Sequence, residues 1–164
     1  MLLDGNHSLE RCAEVSEAVL HSVFEALHRN HVVLELMLLK ASMVLPGKDC
    51  PSVPEPGVVA RETMKVLRRT VPAAVPSINF LSGGQTATQA TANLNELNVE
   101  FPGAPWNLSF SYARALQQPV LDAWRGKKEN AQAAQSALLV RATLNAAASA
   151  GRYKAEMEPP RQQK

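Results

Sequence analysis

Three groups of residues in this sequence have types and positions suited to chemistry. Lys40 closes a strongly apolar run, Leu36-Met37-Leu38-Leu39. A lysine held in an apolar setting has its ammonium form disfavoured, which makes the amine a usable nucleophile toward a carbonyl carbon. Ser82-Gly83-Gly84 follows Phe80-Leu81, and glycines there let backbone N–H groups approach an anion closely. Ser111-Tyr112-Ala113-Arg114 follows the alternating segment Trp106-Asn107-Leu108-Ser109-Phe110, and Arg114 could clamp a phosphate through its two-pronged guanidinium. Each has a plainer reading when taken singly: a lysine where a strand meets water, an ordinary turn, a surface arginine at a helix start. Taken together they describe a small pocket for a phosphorylated carbonyl compound.

The elements that must position them follow from hydrophobic periodicity. Leu9, Cys12, Val15, Val19, Val23 and Leu27 recur at helical spacing, with Leu20 and Phe24 widening the stripe, so a helix is predicted from Ser8 to Arg29 with Ser8 as N-cap. His31 to Lys40 reads as a strand whose near-continuous apolar character suits burial on both faces. A proline- and glycine-rich loop spans Pro46 to Gly57, and a second helix runs from Val58 to Arg69 with Val59, Thr63, Val66 and Leu67 on one side. Ser77 to Leu81 reads as a strand. Thr86 to Asn98 reads as a helix with Ala87, Ala90, Leu94 and Leu97 in register. Trp106 to Ser111 is the third strand. Helical sequence then extends from Ala113 to Ala150, interrupted near Arg125-Gly126. Alternating helices and strands argue for an α/β chain with a parallel sheet. Three strands alone leave both sheet edges open, so the chain reads as part of a larger barrel or open sheet.

Composition narrows the function classes. A net charge of +2 with 20% charged residues offers no clustered basic face, so nucleic acid is not an expected partner. Arg68-Arg69 and Lys127-Lys128 read as solvated helix ends. The apolar run Val32 to Leu39 is broken by Glu35 and is too short for a bilayer, and the first residues have no signal-peptide pattern. Cys12 and Cys50 are too few and too far apart for a disulfide framework or a zinc site, which points to reduced thiols in a cytoplasmic setting. His28 and His31 sit where a helix dipole would be capped, and Trp106 and Trp124 read as core anchors.

Several of these segments, in order, resemble the class I fructose-bisphosphate aldolases. Leu36-Met37-Leu38-Leu39-Lys40 is similar to that family's Schiff-base strand, Phe80-Leu81-Ser82-Gly83-Gly84-Gln85 to its phosphate loop, and Pro105-Trp106 with Ser109 to Gln117 to its last strand and loop. Asp4 to Cys12 is similar to the family's entry into the helix after the fifth strand, Leu67 to Pro76 to the connection after the next helix, and Lys127 to Gln135 to its terminal helix, while Phe110 to Gln117 is worded most like plant-like members. The resemblance implies a partial (β/α)8 barrel, strands six to eight with their helices and the C-terminal helix, over residues 1–153, followed by a polar, disordered tail over 154–164. It implies that Lys40 forms a Schiff base with a ketose and that no metal or other cofactor is required. It implies further that Ser82, Gly83, Ser111, Ala113 and Arg114 hold a substrate phosphate. The implied activity is reversible cleavage of fructose 1,6-bisphosphate to dihydroxyacetone phosphate and glyceraldehyde 3-phosphate, in glycolysis and gluconeogenesis, by a cytoplasmic homotetramer. Three departures accompany it. The family's first five strands, with its catalytic carboxylates, have no counterpart here. Ala41-Ser42 stands where the family continues with Pro-Asn, and Glu156 to Lys164 replaces a tail that ends in tyrosine. The chain by itself is therefore expected to be inactive; a degenerate half that serves as a non-catalytic interaction partner is the alternative.

Overall fold

The computed structural model describes residues 3–160. Helix α1 (Leu9–Arg29) is capped by Ser8, whose hydroxyl accepts from the Arg11 N–H at 3.2 Å. Its buried stripe is Cys12, Ala13 and Phe24, with Leu9, Leu20 and Leu27 packed beside them. Val19 and Val23, expected on that stripe, lie on the exposed flank. The helix ends when His31 turns left-handed at φ 54° and the Val32 N–H reaches back to the Leu27 carbonyl at 3.0 Å. That termination consumes residues expected to be strand. A 3-10 turn at Leu34–Leu36 takes up more, so strand β1 is only Leu38–Ala41.

Helix α2 (Pro56–Thr70) starts on a proline, where the missing N–H costs nothing. Strand β2 (Ser77–Phe80) follows, then α3 (Ala87–Glu100), which Thr86 and Gln89 cap reciprocally. Strand β3 (Asn107–Phe110) completes a parallel sheet in the order β1-β2-β3. Leu39, Ile78 and Leu108 stand in register across it. All three are buried in one cluster with Val59, Met64 and Leu67 of α2 and Ala90, Leu94 and Leu97 of α3. The opposite face is not covered by the described residues. Leu38 is 61% exposed and Lys40 is also exposed.

The long C-terminal helical stretch divides into α4 (Arg114–Trp124) and α5 (Ala131–Ser149), separated by Arg125 and Gly126 at φ 54° and 73°. Trp106 is buried as expected and its indole N–H donates to the Pro72 carbonyl at 3.0 Å. Trp124, at the end of α4, is 44% exposed and anchors no core. Beyond α5 the chain does not leave the fold at 154 as expected. Tyr153 is buried, Ala155–Met157 form a 3-10 turn, and Glu158 pairs with the buried Arg141 at 2.6 Å. Arg141 in turn donates to the Thr91 hydroxyl and the Ala87 carbonyl of α3. A buried guanidinium needs such partners, and meeting that need ties residues 153–158 to the body. Residues 161–164 of the expected tail lie outside the described residues.

Candidate active site at the carboxyl edge of the sheet

Parallel pairing puts Lys40, Asn79 and Ser109 in one row across the sheet. The ladder continues past the strand ends: the Leu81 N–H donates to the Ala41 carbonyl at 2.9 Å, and the Ser111 N–H to the Phe80 carbonyl at 2.8 Å. These bonds carry all three strands to the same edge and set Ser82 and Ser111 just beyond the lysine. From strand spacing, Ser111 lies roughly 12 Å from Lys40, measured between α-carbons. Ala41, where the family has proline, pairs with Phe80, so the strand runs one residue past the lysine. Ser42 leads into Met43 and Val44, both fully buried, and the Val44 N–H donates to the Thr63 hydroxyl at 2.9 Å. The root of the lysine loop is thereby fastened to α2.

Ser82 to Gln85 form a tight turn. Gly83 and Gly84 have φ of 57° and 87°, and the Gln85 N–H closes the turn on the Ser82 carbonyl at 3.0 Å. Positive φ at both central positions is what glycine supplies cheaply. Among the described residues, no acceptor is present for the N–H groups of Ser82, Gly83 or Gly84. Gln85, which sequence reasoning passed over except as part of a motif, is buried behind the turn. Its side-chain amide donates to the Ser82 carbonyl at 3.0 Å, and its oxygen accepts from Asn93 of α3 at 2.6 Å. The only local signal was its place directly after two glycines; its partner lies eight residues on.

The third strand ends differently. Ser111 is half-buried and Tyr112 is buried, its hydroxyl donating to the Ala90 carbonyl at 2.7 Å. Burial pushes the Tyr112 phenol far above its ordinary range, with the nearby Arg141 charge pulling part of the way back. Tyr112 thus acts as a fixed neutral donor that pins the loop to α3. Ala113 caps α4, its carbonyl accepting from the Leu116 and Gln117 N–H groups at 3.1 and 2.8 Å. The first N–H groups of α4 have no partner within the helix, and Arg114 is exposed beside them. A cavity of about 440 Å³ lies behind the glycine turn, between the loop around Pro46–Pro56 and α3, and does not include Lys40 or Arg114.

Lys40 departs from the expectation of an apolar setting. The described residues cover the Leu39 side of β1 and leave the lysine side open to solvent. The amine, the glycine turn and the helix start nevertheless share one edge. The chain is therefore an α/β protein with a lysine and two amide-rich turns at the carboxyl ends of three parallel strands. The family model for class-I fructose-bisphosphate aldolase matches residues 1–164, and the chain belongs to that family. Cytosolic fructose-bisphosphate aldolase 4 of Arabidopsis thaliana is 51% identical over 158 residues, spanning 96% of this chain and 40% of that protein. The cytoplasmic isozyme of Cicer arietinum is 53% identical over 154 residues, covering 94% of this chain and 43% of its own length. The chloroplastic aldolase 1 of Chlamydomonas reinhardtii is 52% identical over 158 residues, 96% of this chain and 41% of that one. A solved structure of Plasmodium falciparum fructose-bisphosphate aldolase, in complex with TRAP and a small-molecule inhibitor, superimposes with a TM-score of 0.90 at 49% identity. It matches 94% of this chain and 44% of that chain. The chain thus spans about two fifths of the length of these relatives.

Proposed function

We infer that this chain supplies the Schiff-base lysine and one phosphate grip of a class I fructose-bisphosphate aldolase, as strands six to eight of a (β/α)8 barrel. The observation that carries the reading is the shared edge: Lys40 on β1, the glycine turn after β2 and the α4 start after β3. In a (β/α)8 barrel that edge is where active sites lie. The face that carries Leu38 and Lys40 would then be the barrel interior, which accounts for the exposure of both when strands one to five are not present to cover them.

The chemistry follows from an amine facing a keto sugar. The neutral Lys40 amine adds to C2 of fructose 1,6-bisphosphate, and loss of water leaves a protonated imine. Removal of the C4 hydroxyl proton breaks the C3–C4 bond; its electron pair passes into the imine as an enamine, and glyceraldehyde 3-phosphate departs. Protonation at C3 and hydrolysis return the amine and release dihydroxyacetone phosphate. The iminium is the electron sink, so the reaction needs no metal. The amides of Ser82 and Gly83, with Ser111, Ala113 and Arg114, hold the phosphate on the three-carbon ketose. In the family the carboxylates that move the protons belong to the first five strands, so this chain alone is inactive. A homotetramer in the cytoplasm is the assembly that family membership favours, and several relatives are named cytosolic or cytoplasmic.

Borohydride reduction in the presence of dihydroxyacetone phosphate, on a full-length barrel that carries this segment, should place one covalent adduct on Lys40 by peptide mapping. An adduct on any other lysine would overturn the assignment. The second reading, a non-catalytic half that associates with an intact subunit, is favoured by the exposed Leu36 and Leu38, at 85% and 61%. Cleavage of fructose 1,6-bisphosphate by the isolated chain at an ordinary enzyme's rate would remove it.

A further inference from the structure

We propose that Gln85, braced by Asn93, is the positioning residue that aims the Gly83 N–H at the substrate phosphate. The inference rests on the phosphate reading of the glycine turn given above. Both donors of Gln85 converge on one atom: the backbone N–H and the side-chain amide each lie 3.0 Å from the Ser82 carbonyl oxygen. A trans peptide is planar, with its carbonyl and its N–H pointing in opposite directions. Holding the Ser82 carbonyl toward the Gln85 side chain therefore turns the Gly83 N–H away from it. That N–H has no acceptor among the described residues.

The turn needs such a hold. Gly83 and Gly84 both sit at positive φ, and glycine pairs have many other conformations available. The Gln85 amide is itself fixed: Asn93 donates to its oxygen at 2.6 Å, which leaves its nitrogen to face Ser82, and the Met43 sulfur lies 3.8 Å from that nitrogen. Ser82, Gln85 and Asn93 are all buried, so water does not compete for these bonds. Asn93 stands in α3, so the packing of that helix against the sheet is passed to the orientation of one peptide group. No charged side chain takes part in this bracket, and its contribution to phosphate binding does not depend on the titration of a side chain.

The test uses this chain labelled with 15N and 13C, with inorganic phosphate as the probe. Phosphate should move the Gly83 N–H resonance of the unsubstituted chain. Gln85→Glu replaces the donor amide with a carboxylate that repels the Ser82 carbonyl. It should shift the Ser82 carbonyl and Gly83 amide resonances and weaken phosphate binding about tenfold, the loss of roughly one hydrogen bond. Asn93→Ala leaves Gln85 in place but frees its amide to rotate, and should weaken binding about threefold, part of the same bond. It also decides the matter if Gln85→Glu does not fold. Thermal midpoints close to the parent's would separate this effect from a general loss of stability. If folded variants bind phosphate as tightly as the parent, the role of Gln85 is overturned and the phosphate reading stands. If phosphate leaves the parent's Gly83 resonance unmoved, the phosphate reading falls and the role of Gln85 falls with it.

Discussion

Gly84 shows how little room the glycine turn has. Its φ is 87°, and an added Cβ would lie 3.0 Å from the Leu3 Cδ2 and 3.4 Å from the Lys48 Cε. Both neighbours are ends of flexible side chains that can give way, so the backbone conformation decides the cost. Gly84→Ala should destabilise the chain by about 1–3 kcal/mol, measured by urea unfolding; an unchanged midpoint would mean that the turn relaxes freely. Tyr153 offers a pH signature at the same scale. Burial, and then the hydrogen bond it donates to Glu158 at 3.0 Å, push its phenol up to about 12. An unfolded chain loses that proton near 10, so between these values the unfolded state binds fewer protons and stability falls as pH rises. Replacing Tyr153 by Phe should flatten part of that decline in thermal melts taken across the window.

At the level of elements, α3 has the most demands on it. Its buried side packs Ala90, Leu94 and Leu97 against the sheet and α5, while Asn93 braces the glycine turn and Ala90 receives the Tyr112 hydroxyl. Leu94→Ala should cost about 2–5 kcal/mol in urea unfolding, the range for deleting a fully buried leucine. The tie between α3, α5 and the C-terminal segment is ionic. Arg141 is buried and meets Glu158 at 2.6 Å, and removal of one partner strands a charge. Glu158→Ala should lower stability by about 3 kcal/mol, and the pair Arg141→Met with Glu158→Leu should recover most of it. A loss in the double variant equal to the sum of the losses in Arg141→Met and Glu158→Leu taken singly would show that the residues do not interact. Helix positions were legible along the chain because Thr86 with Gln89, Ser8 and the Arg125-Gly126 break are local signals. The length of β1 was not, because an apolar run of strand length does not show that His31 would be taken by the end of α1.

For the molecule as a whole, the decisive feature is a sheet covered on one side. The described residues bury Leu39, Ile78 and Leu108 and leave Leu38 and Lys40 in solvent. If Lys40 is the Schiff-base lysine proposed above, this setting leaves it without apolar surroundings and without acid–base partners, each such partner being worth about 10²–10⁴-fold. Cleavage of fructose 1,6-bisphosphate by the isolated chain should accordingly fall at least four orders of magnitude below an intact barrel, roughly two such groups combined. Turnover within about tenfold of an intact barrel would show that no such group is lacking, since the loss of one alone costs about 10²-fold or more.

The amino-acid sequence by itself determined the alternation of helices and strands, the helix caps, the glycine turn and the order of motifs that mark the family. These depend on neighbours within a few residues, through periodicity, capping and the backbone freedom of glycine. Only the tertiary structure decided which flank of α1 is buried, that the Gln85 side chain holds the Ser82 carbonyl, that Arg141 holds Glu158, and that Lys40 stands on an uncovered face. Those outcomes turn on which segments come together in space: Arg141 meets Thr91 fifty positions away, and no strand or helix among the described residues covers the face on which Lys40 stands. Burial is a property of the assembled surface, which no short stretch of chain encodes.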